Sequence, residues 1–277
     1  MTLSDRTGAE LSADERVYYQ RQMVLPEWGE DGQRRLKAAR VLVVGAGGLG
    51  APVLQYLGAA GVGRIGIADG DFVEVSNLHR QVIHTMEDLD SPKTTSAAAR
   101  LRRSNPHVEV VEHMLPVSAA NADDLVARYD IVADCTDNFA TRDVLHAACF
   151  AHGRTLVSGA AQMTEGTVTT FAAFRGGDHP CFRCLYPAPL PPDVTPTCSQ
   201  VGVAGPVLTV IGGLQAMEVV KEILGVGEGL SGRIVLYDGL SAGFSEIPLA
   251  RRPQCPCCGT APAADGRTLA HPPVTGG

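Results

Sequence analysis

Four cysteines fall in two Cys-x-x-Cys pairs, Cys181 with Cys184 and Cys255 with Cys258, and this spacing is the most direct chemical signal in the sequence. Two such pairs supply the thiolates of a closed, tetrahedral structural zinc site. Cys257 makes the second pair ambiguous, and a redox dithiol is the competing reading. Cys198, in Thr197-Cys198-Ser199-Gln200, ends a proline-rich stretch, where a loop thiol is a candidate nucleophile. Cys135 and Cys149 fall on a strand and a helix and read as small core residues.

A second signal is the run Gly45-Ala46-Gly47-Gly48-Leu49-Gly50, which follows a strand and opens a helix. Glycines there let the turn close and let backbone N–H groups approach phosphate at the positive end of the helix. Asp69 ends the next strand, where a carboxylate accepts hydrogen bonds from a ribose. By itself this pattern says only that a nucleotide binds. Its commonest owner is an NAD enzyme, and a tight turn without a ligand is the plainest alternative.

Three cations are scattered around that loop: Arg21, Arg80 in the block Ser76-Asn77-Leu78-His79-Arg80-Gln81, and Lys93. Such a set suits a triphosphate better than a dinucleotide, because guanidinium and ammonium groups stabilise charge developing at phosphorus. Asp137 and Asn138 follow the fourth strand. Asp137 is placed to hold Mg²⁺ on ATP phosphates, to cap the next helix, or to do both.

These residues need a scaffold, and the sequence supplies alternating strand and helix signals from Arg40 to Asp143. The runs 40–45, 64–69, 108–113, 130–135 and 155–160 read as buried parallel strands. Helices are expected from the glycine loop to Gly61, from Lys93 to Ser104, and from the Asp137 region to His152. Ser12, with Glu15 three residues on, caps a helix near the N-terminus. After Gly166 the pattern changes: an alternating strand over 167–174, a proline-rich loop from Gly176 to about Gly202, a helix from Ala204 to Leu224, and strands over 233–239 and 244–249.

The expected class is therefore α/β, a Rossmann-like, doubly wound, mostly parallel sheet with a C-terminal antiparallel part and a Cys₄ zinc site. We divide the chain into an N-terminal helical arm (1–30), a Rossmann-like nucleotide-binding part (31–165), a part of the same domain with the proline-rich loop and zinc site (166–259), and a disordered tail (260–277).

Composition narrows the function classes. The chain has 277 residues, 45% of them hydrophobic and 19% charged, with a net charge of −7, which argues against a nucleic-acid-binding surface. No apolar run reaches the roughly 18 residues a membrane span needs, and the N-terminus has no signal-peptide character, so a cytoplasmic location is expected. Eight cysteines in such a chain point to metal or catalysis rather than disulfides.

The blocks RVLVVGAGGLG, GVGRIGIADGDFVEVSNLHRQ, DCTDNFATR, LVSGAA, CFRC and IGGLQAMEVVK together resemble the ThiF/MoeB/HesA branch of the ubiquitin-activating-enzyme superfamily. The resemblance covers about Asp14 to Gly259 and is closest to the molybdopterin-synthase adenylyltransferases. It implies ATP-dependent adenylation of the C-terminal Gly-Gly of a ubiquitin-like sulfur carrier, of molybdopterin or thiamin type, by a homodimer.

On this resemblance, Gly48, Asp69, Ser76 to Arg80, Lys93 and Asp137-Asn138 match ATP-binding positions. Asp69 would take the ribose, Lys93 the phosphates and Asp137 the magnesium. Arg21 matches a phosphate-side arginine, and Arg80 one that reaches the neighbouring subunit. Cys198 matches a cysteine that some members use as acyl acceptor. A separate sulfur donor, a cysteine desulfurase or a rhodanese, is expected from another chain. An NAD-dependent oxidoreductase and a non-catalytic carrier-binding subunit are the alternatives.

Overall fold

The polypeptide is described by a computed structural model covering residues 8–188 and 201–259. Its N-terminal helix α1 (Ala13–Met23) begins in a capping box. The Ser12 hydroxyl accepts from the Glu15 amide, and the Glu15 carboxylate accepts from the Ser12 amide. A second helix, α2 (Gly29–Ala38), was not legible in the sequence; it buries Gln33 and Leu36.

The parallel half is β1 (Arg40–Val44), α3 (Gly50–Ala60), β2 (Arg64–Ala68), α4 (Lys93–Ser104), β3 (Glu109–His113), α5 (Ala122–Val126), β4 (Ile131–Asp134), α6 (Phe139–Ala151) and β5 (Thr155–Gln162). After β6 (Glu165–Phe171) come the short α7 (Phe182–Leu185), the long α8 (Gly205–Leu224), β7 (Arg233–Asp238) and β8 (Gly243–Pro248). All eight strands form one sheet in the order β3-β2-β1-β4-β5-β6-β7-β8. Pairing is parallel from β3 through β5 and antiparallel from β5 to β8.

Both faces of β1, β2, β4 and β5 are covered, which explains their unbroken apolar runs. The edge strand β3 is mostly half-exposed, so the expectation of a buried strand over 108–113 is corrected. Val41 and Val43 face a core shared with α3, α4 and α8, whereas Leu42 and Val44 face a core shared with α5 and α6. Each fully buried aliphatic side chain contributes about 1.5–3 kcal/mol. Helix α8 lies at the centre, and its Gln215 donates to the carbonyls of Asp134 and Val157, tying it to the ends of β4 and β5.

Two further expectations need correction. The strand expected over 167–174 ends at Phe171, and Ala173–Arg175 form a 3₁₀ turn that leaves Phe174 exposed. Nor does β6 alternate: Val168 through Phe171 are all buried, because it is an inner strand lying between β5 and β7. The described part of the stretch from Gly176 to Gly202 is also not wholly irregular, since α7 falls inside it. Among the described residues, no helix is long and apolar enough to cross a membrane.

Candidate functional site

The strand order reverses between β1 and β4, and in open α/β sheets the crevice at such a point, beyond the carboxyl ends of the strands, takes the ligand. An open pocket of about 480 Å³ lies there, reached by the glycine loop, Asp69, Arg80, Lys93, Asp137 and Asn138. One fold-level rule and five separate sequence blocks thus converge on one cavity.

The glycine loop has the shape its sequence demands. Gly45 has φ +96°, and a Cβ there would sit 2.8 Å from the Cys135 carbonyl oxygen of the next strand. At Gly50 a Cβ would lie 1.9 Å from the Gly45 carbonyl oxygen, so this glycine closes the turn without lining the cavity. Gly45, Gly47 and Gly48 do line it. Leu49, before α3, makes no side-chain cap, so the first amides of α3 have no capping side chain competing with a phosphate.

Asp69 stands at the lip. Its Oδ2 accepts from the Ala46 amide at 2.7 Å and its Oδ1 from the Asp71 amide at 2.8 Å. Each carboxylate oxygen retains a further lone pair for a hydroxyl donor. Lys93, at the start of α4, is buried at the cavity wall and pairs with the exposed Asp71 at 2.9 Å. A polyanion entering the cavity competes with Asp71 for that ammonium.

The loop after β4 is held by a buried network. Asp134 accepts from the Thr136 amide and hydroxyl with Oδ1 and from the Ser158 hydroxyl with Oδ2. Arg142, on α6, donates to the carbonyls of Thr136 and Gly159. Asn138 is the N-cap of α6, its side chain accepting from the Thr141 amide at 2.9 Å. The capping reading of Asp137 is therefore corrected: its neighbour does that work, and the exposed Asp137 carboxylate faces the cavity.

Other sequence candidates are distributed differently. Of Ser76, Asn77, Leu78, His79 and Arg80, only Arg80 lines the cavity, and it is this chain's own cavity; its guanidinium donates to the Ser76 carbonyl at 3.0 Å. Arg21 is exposed on α1 and does not line it. Cys198 lies outside the described residues.

Three contributors were missed. Gln81 lines the cavity beside Gly47 with its buried Oε1 unpartnered, and its place directly after Arg80 was the available signal. Arg142 also lines it, and its place at the end of the DCTDNFATR block was the available signal. His84 is buried behind the glycine loop. Its Nε2 donates to the Ala46 carbonyl at 2.9 Å, which leaves Nδ1 to accept from Ser96 at 2.7 Å. Burial holds its pKa below the usual histidine value.

The four paired cysteines come together away from the cavity. Cys181 and Cys255 have sulfurs 3.5 Å apart, Cys184 and Cys258 3.5 Å, and Cys181 and Cys184 3.9 Å, all buried. A tetrahedron with metal–sulfur bonds of about 2.3 Å has edges of about 3.8 Å, so the thiols fit a zinc-class ion. Amides of Arg252 and Cys257 donate to the sulfurs of Cys184 and Cys255, as they would to thiolates. Burial pushes the Cys255 thiol up, a cost that metal ligation would offset.

A match to the ThiF family spans residues 19–257. The chain is 48% identical over 246 residues to the sulfur carrier protein adenylyltransferase of Thermus thermophilus, covering 88% of this chain and 91% of that protein. It is 50% identical over 255 residues to the adenylyltransferase and sulfurtransferase MOCS3 of Sus scrofa, covering 92% of this chain but only 55% of that longer protein. Among solved structures, E. coli MccB with ATP shares the fold at a TM-score of 0.74 and 23% identity, over 87% of this chain and 74% of that one. PaaA does so at 0.74 and 21%, over 90% of this chain and 77% of that one.

Proposed function

This chain belongs to the ThiF family, and we propose that its cavity uses ATP to adenylate the C-terminal Gly-Gly carboxylate of a ubiquitin-like sulfur carrier. The observation that carries the reading is the meeting of the glycine loop, the buried Lys93 and the outward-facing Asp137 in one cavity. A dinucleotide enzyme of this class has a second parallel nucleotide-binding half. Here the sheet continues past β5 into three antiparallel strands instead.

The reaction is a displacement at the α-phosphorus. A carrier carboxylate oxygen forms the new bond, the bond to the bridging oxygen breaks, and pyrophosphate leaves with that electron pair. The carboxylate is already ionised at neutral pH, so no side-chain base is required. What the protein supplies is position and charge. Asp69 holds the ribose, the amides before α3 and the ammonium of Lys93 take phosphate oxygens, and Arg80 lies against the same charge. Asp137 would supply an oxygen ligand to Mg²⁺, which would neutralise phosphate charge. The carrier tail enters along the hairpin from Ala160 to Thr167, where the small Ala160, Ala161, Gly166 and Thr167 line the cavity beside the larger Gln162, Met163 and Glu165.

The protein acts as a homodimer in this reading, and Arg21, remote from its own cavity, serves the partner's. The test is ATP–pyrophosphate exchange with a carrier ending in Gly-Gly. Carrier-dependent exchange is expected; its absence, with NAD bound instead, would overturn the assignment.

A further inference from the structure

One cysteine of the C-terminal knuckle has no place in the four-sulfur set. Cys257 lies between Cys255 and Cys258, yet its sulfur turns toward α6, where it meets His146 Nε2 at 3.4 Å. His146 is 4% exposed and packs against the rings of Phe150, Phe171 and Phe182. A histidine in such a setting is held in one orientation, and its Nε2 is aimed at the cysteine cluster. The ligand atoms of His146, Cys181 and Cys257 all lie within 4.8 Å of one another, as do those of the four-cysteine set. Cys181 belongs to both groups.

We propose that His146, Cys257 and Cys181 form a second site for a zinc-class, thiophilic cation, with the Cys181 thiolate bridging it to the ion of the four-cysteine site. The inference is independent of the adenylation reading. Its chemistry follows from the donors: two thiolates and an imidazole are a borderline-soft set that suits zinc and selects against magnesium or calcium. A three-ligand site leaves a fourth position open, unlike the closed four-cysteine site. Half-buried Cys257 gives that position access to solvent.

Charge favours the arrangement. Four thiolates around one divalent ion carry about two negative charges in a buried setting, which is costly. Binding the second divalent ion releases the Cys257 proton to solvent and leaves about one negative charge over the pair of ions. The rings around His146 exclude water from one side, which strengthens each ligand bond.

The experiment uses the full chain, reduced, stripped of metal and reloaded with zinc chloride without oxygen, with ions per chain counted by native mass spectrometry. Wild type is expected to bind two ions and Cys257→Ser one, with unchanged far-ultraviolet circular dichroism. His146→Asn should also bind one. Because Cys257 is half-buried, its variant carries the test even if the His146 variant misfolds. Cobalt(II) gives a second readout: thiolate-to-cobalt absorption should rise in two steps in wild type and in one step in Cys257→Ser. A single ion in wild type at saturating zinc overturns the proposal, and so does a second ion that persists in Cys257→Ser.

Discussion

The Asp69 carboxylate accepts a hydrogen bond from the Ala46 amide at 2.7 Å, so the acid ending β2 is fastened to the glycine loop that follows β1. One side chain thus shapes the glycine loop and, in the proposed reading, takes the ribose. Asp69→Asn keeps an acceptor for Ala46 but loses the charge. The expected result is a rise of about tenfold in KM for ATP, or about 1.4 kcal/mol, with a smaller change in kcat. Pyrophosphate-exchange kinetics check it.

Asp137 and Asn138 are adjacent and both suited to capping, yet only Asn138 caps α6. Asp137→Ala should reduce adenylate formation by at least about 10²-fold while thermal stability stays near wild type. Asn138→Ala should do the reverse, lowering stability by about 1 kcal/mol through the lost cap. Exchange assays and thermal melts on both variants distinguish the roles. Equal loss of activity in the two would remove the special place of Asp137.

Arg21 lies on α1, outside the cavity of its own chain. Mixed dimers of Arg21→Ala and Asp137→Ala should regain about half of native exchange activity, because one of the two composite sites is then intact. Isolated single-variant dimers should remain impaired. Without any recovery in verified mixed dimers, Arg21 does not act across an interface.

His84 gives a pH signature. Burial holds its folded pKa below the unfolded value of about 6.5, so the unfolded chain takes up the proton first. The stability contributed by the neutral ring is therefore complete above about pH 6.5 and is lost as pH falls toward the depressed folded value. His84→Gln retains a donor for Ala46 and cannot titrate. Melting temperatures followed from pH 7.5 to pH 5, a range of about 2.5 units around the unfolded value, should decline less steeply in the variant.

Much of the scaffold was legible because its signals are local. The run VLVV marks β1, Ser12 and Glu15 announce α1, and Gly61 ends α3 in the left-handed conformation. Helix α2 escaped notice because its sequence, GEDGQRRLKA, offers a single large apolar residue; its burial comes from tertiary packing of Gly32 and Gln33. The end of β6 at Phe171 was equally hidden, since Ala172 to Phe174 have the composition of a strand and only the 3₁₀ turn stops it.

The site was legible as residue types and not as distances. Gly45, Asp69, Lys93 and Asp137 meet because the topology brings the ends of β1, β2 and β4 and the start of α4 together. Arg21 carried the same charge signal and lies elsewhere, since spacing along a chain does not encode position across a sheet. Gln81 and Arg142 stand inside quoted sequence blocks, yet neither residue type nor spacing says that they turn into the cavity.

The cysteine cluster also sets an order of events in the life of a new chain. Cys181 and Cys255, like Cys184 and Cys258, are separated by 74 positions, and between them come α8, β7 and β8. As the chain leaves the ribosome, the first pair waits while those elements emerge and dock, because closing so long a loop before they pack has an entropic cost. The four thiols therefore meet only after the central helix and the last strands are seated. Capture of a zinc-class ion there would act as a closing latch, one that a truncated or misassembled nascent chain lacks.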